Sequence, residues 1–244
     1  SEARYLEPRH GGELQWHWLP NDRVFDDARH ALKWHQKGTA FGSAQDAAHW
    51  RWRQEGIRVS DDAYWKDFGR DIRSFTPRLL PLAGEVERDL RLPGMDTTAY
   101  ARIQYWQVLQ DADPLALVTA PYHRAPQIGW RGIGRPWSAG GFSPELSFEA
   151  EFNRFELTSD DAATSAARPD GQRVHLLAQA QHTWRAPWGW LTPRLALNMA
   201  SYRTDTPMVD GRSTASRSIP TLSIDGGLVF EREMQWFGRS LLQT

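Results

Sequence analysis

The sequence predicts an all-β protein, an antiparallel sheet of about ten or eleven strands with the pattern of a transmembrane β-barrel. Many runs alternate apolar and polar residues, as strands do when one face is apolar and the other is wet. The connectors between these runs also alternate, long with short. In outer-membrane barrels the turns on one side of the membrane are short and the loops on the other side are long.

The alternating runs give the predicted strands. They are residues 2–6, 12–19, 28–37, 47–58, 78–90, 97–109, 125–133, 142–156, 172–183, 190–202 and 218–232. Pro81, Pro193 and Pro220 lie inside or at the start of runs. Each removes a hydrogen-bond donor from the ladder, which argues locally against a central strand.

The clearest strand is the stretch 144–156. Its apolar residues share one side and its polar residues share the other, which is no amphipathic pattern for a helix. The apolar side is Leu146, Phe148, Ala150 and Phe152, and the polar side is Glu145, Ser147, Glu149, Glu151 and Asn153. The pattern alone leaves open whether the apolar side meets a protein core or lipid.

The connectors carry the second signal. The long, polar ones are 59–77, 110–124, 157–171 and 203–217, and the shorter ones are 38–46, 91–96, 134–141 and 184–189. The link 20–27 breaks the pattern, because it is short where a long one is expected. A soluble sandwich has no reason for such alternation.

Composition excludes several classes of protein. The formal net charge of −1 gives no electrostatic case for nucleic acid, and the absence of cysteine removes disulfides and thiolate metal sites. No run approaches the roughly 18 apolar residues of a transmembrane helix. The first residues show no signal peptide and the last show no cap, so we expect a piece of a longer chain, truncated at both ends.

The thirteen tryptophans include three pairs at a spacing of two. These pairs are Trp16 with Trp18, Trp50 with Trp52, and Trp188 with Trp190. Carbohydrate platforms can look like this, but the pairs fall near strand ends. An interfacial aromatic girdle is therefore the favoured interpretation.

The candidates for chemistry are weak. His30 and His35 lack a third ligand and fall on opposite faces, so no metal site is predicted. Glu145, Glu149 and Glu151 have the spacing of a glycosidase acid–base pair, yet every strand here has a polar face, so a lining role is favoured. A patch of Arg51, Arg53 and Arg58 could meet anionic phosphates, although a solvated face is the favoured interpretation. We predict no catalytic residue, no metal and no cofactor.

Several stretches resemble a known family. Residues 2–6, 11–14 and 19–23 (E-A-R-Y-L, G-G-E-L, L-P-N-D-R) and residues 220–233 (P-T-L-S-I-D-G-G-L-V-F-E-R-E) are similar to segments of the LptD family of LPS-assembly outer-membrane proteins, also called organic solvent tolerance proteins. Arg173-Val174-His175 and the loop 60–68 are similar as well. Trp18 stands where the family often has Tyr.

The resemblance implies a function that spacing cannot give. The family receives lipopolysaccharide from a periplasmic bridge protein through an N-terminal jelly-roll domain, and passes it through a large barrel plugged by an LptE-type lipoprotein. Release occurs through a lateral opening, and no bond is made or broken. The family's jelly-roll domain and cysteines have no counterpart here, and its gate residues cannot be carried over.

The resulting prediction is one partial barrel domain over residues 1–244 in the outer membrane of a Gram-negative bacterium, with lipopolysaccharide, the plug, the bridge protein and membrane lipid as partners. The residues predicted to face the lumen are Glu145, Ser147, Glu149, Glu151, Asn153, Arg51, Arg53, Ser223 and Asp225. Those predicted to face lipid are Leu146, Phe148, Phe152, Leu195, Leu197, Leu222 and Ile224. A porin-like channel, a soluble carbohydrate-binding β-sandwich and a glycosidase stay open as alternatives.

Overall fold

A computed structural model describes residues 1–39, 50–68, 78–157, 168–230, 232–236 and 239–243, the last two segments by their backbone alone. Within these ranges the chain is almost entirely β. The strands are β1 (Glu2–Leu6), β2 (His10–Asp22), β3 (Asp27–Thr39), β4 (Trp50–Val59), β5 (Leu79–Leu92), β6 (Met95–Val108), β7 (His123–Gly134), β8 (Glu145–Glu156), β9 (Gly171–Gln181), β10 (Trp184–Ala186), β11 (Gly189–Thr204), β12 (Thr214–Leu228), β13 (Arg232–Trp236) and β14 (Arg239–Gln243). A single-turn helix α1 (Tyr64–Phe68) and a 3-10 turn at Pro114–Ala116 complete the described elements.

Strands β1 to β12 form one antiparallel, 12-stranded sheet. Each strand from β1 to β8 pairs with the next in the chain, β9 pairs with β11, and the short β10 continues the β9 side of β11. Strand β12 pairs with the other side of β11. The sheet is open, with β1 and β12 at its edges, and β13 and β14 form a separate hairpin.

The predicted antiparallel all-β fold is confirmed, with two differences in the strands. Strand β10 (Trp184–Ala186) falls in a predicted link, because three residues are too few to show alternation. The β13–β14 hairpin lies at and beyond the end of the last predicted run. The sheet therefore has slightly more strands than the ten or eleven expected.

The prolines in the sheet lie where a ladder is interrupted. The β4–β5 ladder stops at Leu82, next to Pro81, and the β9–β11 ladder begins at Arg194, next to Pro193. Pro220 is on β12, an edge strand. A missing N–H costs little where no neighbouring strand needs it.

The connectors divide between two ends of the sheet. At the long-connector end the strands are joined through residues 60–78, 109–122, 157–170 and 205–213 and the tight turn 23–26; of these, 69–77 and 158–167 lie outside the described residues. The short-connector end holds residues 7–9, 93–94, 135–144 and 182–188. The contrast is sharp between 93–94 and 109–122, and weak between 135–144 and 205–213. Most of the predicted link 38–46 lies outside the described residues.

The register assigns every strand residue to one of two faces, because directly paired residues point to the same side. The polar face carries Arg51, Glu87, Tyr100, Gly129 and Glu151 in one continuous row of partners. The apolar face carries the rows on either side of it, such as Trp52 with Val86 and Trp130 with Ala150.

A small core sits at the long-connector end. Val59, Tyr64, Leu80 and Leu109 are buried together, with Phe68 of α1 packed against them. A β-sandwich needs a second sheet over the first. The strands that the structure describes form a single sheet and one hairpin, so the sandwich alternative is wrong.

Aromatic side chains lie over glycines of neighbouring strands. A Cβ at Gly129 would meet the Tyr100 ring at 2.2 Å, and one at Gly56 would meet the Trp34 ring at 2.5 Å. The missing side chain lets the Tyr100 ring cross strand β7 and reach β8. Such aromatic–glycine pairs fix the register between strands.

We expect Gly129→Ala to destabilise the sheet by about 1–3 kcal/mol, because the new methyl group overlaps the Tyr100 ring. Thermal unfolding of the folded protein measures the change. Gly84→Ala is the matched control, since its Cβ would meet only Ile103 at 3.5 Å, an ordinary contact. Equal midpoints for the two variants would contradict the role assigned to Gly129.

Candidate functional site: the polar face of the sheet

Glu151 on β8 is the centre of the polar face. Its carboxylate accepts hydrogen bonds from Tyr100 Oη at 2.9 Å, Gln127 Nε2 at 2.8 Å and Arg173 Nη2 at 3.1 Å. Asn153 donates a fourth from the same strand. The donors come from β6, β7, β8 and β9, so one carboxylate links four consecutive strands.

This Glu151 cluster (Tyr100, Gln127, Glu151, Asn153 and Arg173) is largely buried, and Asn153 is fully so. All four donors point at the carboxylate oxygens, which suits an ionised acceptor. A general acid must instead hold a proton and present it to a substrate. The geometry is that of a structural carboxylate and does not favour the glycosidase reading.

A second group, the arginine–carboxylate array, covers β4 to β7. Arg51 donates to Asp89 Oδ1 at 2.9 Å and Glu87 Oε2 at 3.1 Å, and Arg131 donates to the other oxygen of Glu87 at 3.0 Å. Glu85 accepts from two more arginines. These are Arg53, at 3.0 Å, and Arg102.

Tyr100 joins the two groups. The guanidinium carbons of Arg102 and Arg131 each lie 5.5 Å from the centre of its ring, within cation–π range. The hydroxyl of Tyr100 donates a hydrogen bond to Glu151. The polar face is therefore one connected network from β4 to β9.

The other predicted lumen residues also lie on the polar face. Glu145 accepts from Gln181 at 2.8 Å, and Ser147 and Glu149 follow on the same strand side. Ser223 and Asp225 pair with Arg194 and Thr192 at the far edge. The structure brings Arg51 and Arg53 together with the array and Glu151 with its cluster, but leaves Ser223 and Asp225 apart from both.

The residues predicted to face lipid share the apolar face. Leu195 pairs with Leu222, and Ile224 and Leu222 are 65% and 71% exposed. Phe148 is half-buried because Trp130 packs edge-on against it, with ring centres 4.7 Å apart. The apolar face thus carries large hydrophobic side chains that no second layer of described residues covers.

Three polar side chains on the apolar face have partners. Gln36 and Gln54, adjacent in the register, hydrogen-bond to each other. The Arg88 guanidinium lies over the Trp50 ring at 5.1 Å, near the short-connector end. Each arrangement reduces the cost of a polar group on an apolar surface.

The three tryptophan pairs differ in where the structure places them. Trp16, Trp18, Trp50 and Trp52 lie on the apolar face, the first two toward the long-connector end and the last two toward the short one. The third pair does not share a face. Trp188 lies in the turn before β11, and Trp190 pairs with Gly227 on the side of Asp225, the polar face.

Sequence reasoning missed the most enclosed ion cluster, around Arg29. Its guanidinium donates two bonds of 3.0 Å to Asp61, one of 3.1 Å to Asp22 and one of 2.7 Å to Asp67. It is only 2% exposed. We call this the Arg29 clamp. It ties the end of β2 and the described segment 60–68 to β3.

Aromatic rings enclose the Arg29 clamp. Phe25 and Phe68 lie 4.9 and 5.0 Å from the guanidinium carbon, and Tyr64 lies at 5.4 Å. The two stretches 19–23 and 60–68, noted above for their family resemblance, therefore meet on one arginine. Both carry aspartates, but nothing in the sequence shows that Arg29 is their common partner.

Two further connectors are held by ion pairs. Lys66 of α1 donates to Asp111 at 2.8 Å, and this bond lowers the pKa of the Asp111 carboxyl. Arg154 of β8 bonds Asp205 through two nitrogens and lowers the pKa of that carboxyl. Both carboxyls stay ionised at neutral pH, so the 109–122 connector stays attached to α1 and the 205–213 connector to β8.

The described residues contain no group of three His, Asp or Glu side chains placed to hold a metal ion, and His30 and His35 lie on opposite faces. No helix within the described ranges is long and apolar enough to cross a membrane.

The fold and the site define an all-β protein whose 12-stranded open sheet, in the part of the chain that the structure describes, has an ion-paired polar face and an exposed apolar face. The model of the LptD family, described as LPS transport system D, matches residues 36–244. The chain belongs to this family.

Proteins named LPS-assembly protein LptD are similar over the whole chain. The one from Acidovorax sp. (strain JS42) is 38% identical over 255 residues, the one from Paracidovorax citrulli 38% over 251, and the one from Polaromonas sp. 34% over 245. The chain spans 28–29% of the length of these relatives.

We expect Arg29→Gln to destabilise the long-connector end by about 3–5 kcal/mol, because it leaves three carboxylates near one another without their cation. Limited proteolysis of the 60–78 connector measures the effect, and cleavage should be faster. Arg4→Gln is the control, since Arg4 is 69% exposed and its ion pairs are worth about 0–1 kcal/mol. Unchanged cleavage in Arg29→Gln would refute the clamp.

Proposed function

We propose that this chain forms part of the wall of an outer-membrane β-barrel that transports and assembles lipopolysaccharide. The observation that carries the proposal is the pairing of two unlike faces on one sheet, in a chain of the LptD family. In this proposal the apolar face meets membrane lipid and the polar face lines the lumen. The function requires no bond to be made or broken.

The uncovered apolar face supports the membrane location. A soluble monomer rarely leaves a large apolar surface open to water. In a bilayer the same face is solvated by acyl chains, and the backbone hydrogen bonds are already satisfied between strands. The edges β1 and β12 would need further strands or a partner, since an open edge cannot face hydrocarbon.

The network on the polar face supports the lumenal role. A lumen that passes a large, phosphorylated glycolipid needs a hydrated wall that keeps its shape. The partners in this proposal are lipopolysaccharide, an LptE-type plug lipoprotein, a periplasmic bridge protein and outer-membrane lipid. A porin-like channel would share the sheet, but family membership favours lipopolysaccharide as the cargo.

The two faces of the sheet should differ in how they tolerate a charge in the membrane. We expect Leu197→Arg to cost about 2–4 kcal/mol if the position lies near mid-bilayer, because the charge enters hydrocarbon. Leu177→Arg is the matched control: Leu177 lies on β9 next to Asn198, on the polar face, and should tolerate the charge. The amount of assembled, heat-modifiable barrel measures both. A larger loss for Leu177→Arg would reverse the proposed facing.

The molecule that contacts the polar face can be identified by crosslinking. A photo-crosslinking residue at position 149 should capture lipopolysaccharide in growing cells, because Glu149 lies on the polar face. The same residue at position 148, on the apolar face, should capture membrane phospholipid instead. Crosslinks to neither glycolipid nor plug from position 149 would contradict the lumenal assignment.

A further inference from the structure

A cavity of about 700 Å³ opens on the sheet at the short-connector end. Polar-face residues of β3 to β7 contribute to its wall, and the turn between β1 and β2 closes one side. Because one cavity reaches so many strands, the sheet curls toward its polar face here. The cavity has the size of a site for a small ligand.

The wall of this cavity has an excess of positive charge. Six cationic residues line it, against three carboxylates. The cationic residues are Arg9, Lys37, Arg51, Arg53, Arg102 and Arg131, and the carboxylates are Glu7, Glu85 and Glu87. Of the basic patch considered from the sequence, Arg58 is absent, because it pairs with Leu32 on the apolar face.

The cations divide into two classes. Arg51, Arg53, Arg102 and Arg131 share Glu85 and Glu87 within the arginine–carboxylate array. Arg9 and Lys37 have no ion pair among the residues that the structure describes. With Asp89, which also accepts from Arg51, the array sets three carboxylates against four arginines. Arg9 and Lys37 are the cations of the wall that lie outside the array, and Glu7 is the remaining carboxylate beside them.

We propose that this cavity binds a phosphate group carried on a saccharide, with Arg9 and Lys37 as its principal contacts and the outer N–H groups of Arg51 and Arg53 as further donors. The proposal rests on the proposed function, which supplies a phosphorylated glycolipid as cargo. Guanidinium and ammonium groups are the usual partners of phosphate oxygens. Leu6 and Pro8 give the rim an apolar side, which a sugar ring can contact.

The chemistry favours phosphate over a carboxylate-bearing peptide. A phosphomonoester brings nearly two charges and three acceptor oxygens to one point, which matches two unpaired cations beside a pair of arginines. A peptide would instead spread single charges along its length. An acidic protein segment in this cavity is the competing outcome of the test.

The test uses the full-length protein that carries this chain, purified in detergent. Its apparent Kd is measured for lipopolysaccharide and for the same lipopolysaccharide with its phosphates removed chemically. The wild type should prefer the phosphorylated form by about tenfold, and Arg9→Gln/Lys37→Gln should remove most of that preference. Arg9→Lys/Lys37→Arg, which keeps both charges, should retain it.

Lys33→Gln is the matched control. Lys33 lies on the same strand and the same face as Lys37 but outside the cavity. The substitution therefore removes one positive charge without changing the lining of the cavity. The heat-modified migration of each variant confirms that it is folded. Competition with inorganic phosphate distinguishes a saccharide-borne phosphate from free phosphate as the ligand. If inorganic phosphate displaces lipopolysaccharide only at a far higher concentration than that of the lipopolysaccharide, the saccharide-borne phosphate is supported. Displacement at equal concentration refutes it.

Three results would overturn the site. They are equal affinity of the wild type for both lipopolysaccharides, a preference that survives Arg9→Gln/Lys37→Gln, and an equal loss in Lys33→Gln. Capture of a protein rather than glycolipid by a crosslinker at position 37 would assign the cavity to an acidic partner. Crosslinking from position 149 is independent, so the site can fail while the proposed function stands.

Discussion

The structure depends on one constraint: nearly every side chain finds its neighbours within a single sheet. Outside the small cluster around Tyr64, no second layer of described residues supplies a core. Side-chain stabilisation must then come from cross-strand pairs, which are individually modest. This is why Glu151 collects donors from four strands, and why the Tyr100 ring lies over Gly129. Cross-strand contacts on the two faces of the sheet thus provide the stabilisation that a buried core provides in a globular domain.

The constraint also explains what the sequence could predict. A period of two fixes the face of each residue without any knowledge of the neighbouring strands, so the sides of the 144–156 strand came directly from the pattern. The pattern cannot predict which residues are partners across neighbouring strands. Partners depend on the register of the strands, and the register shifts between Arg102 and Gln104 and again between Arg124 and Gln127. Pro126 lies within the second shift and is a local signal of it, but no such residue lies at the first.

The Arg29 clamp shows the same limit over a longer range. Its aspartates lie 7, 32 and 38 residues from the arginine, separated by strands and a connector. Alternation placed Arg29 in a strand but could not supply these contacts. The prediction that Trp188 and Trp190 share one face was wrong for a related reason. Trp188 lies in a turn, where the strand spacing of two does not apply. Predictions held within strands and failed where a turn or a distant loop intervened.

The connectivity of the sheet has a consequence for how it forms. From β1 to β9 every pairing joins strands that follow one another in the chain, and the β5–β6 pair closes through two residues, 93–94. Closing such short loops costs little entropy, and local contacts favour fast folding. The sheet can therefore grow one hairpin at a time, each new strand adding to the edge left by the last. Each added strand must then find its register, and Gly129 favours the alignment that places it under the Tyr100 ring, because a residue with a Cβ there would overlap the ring.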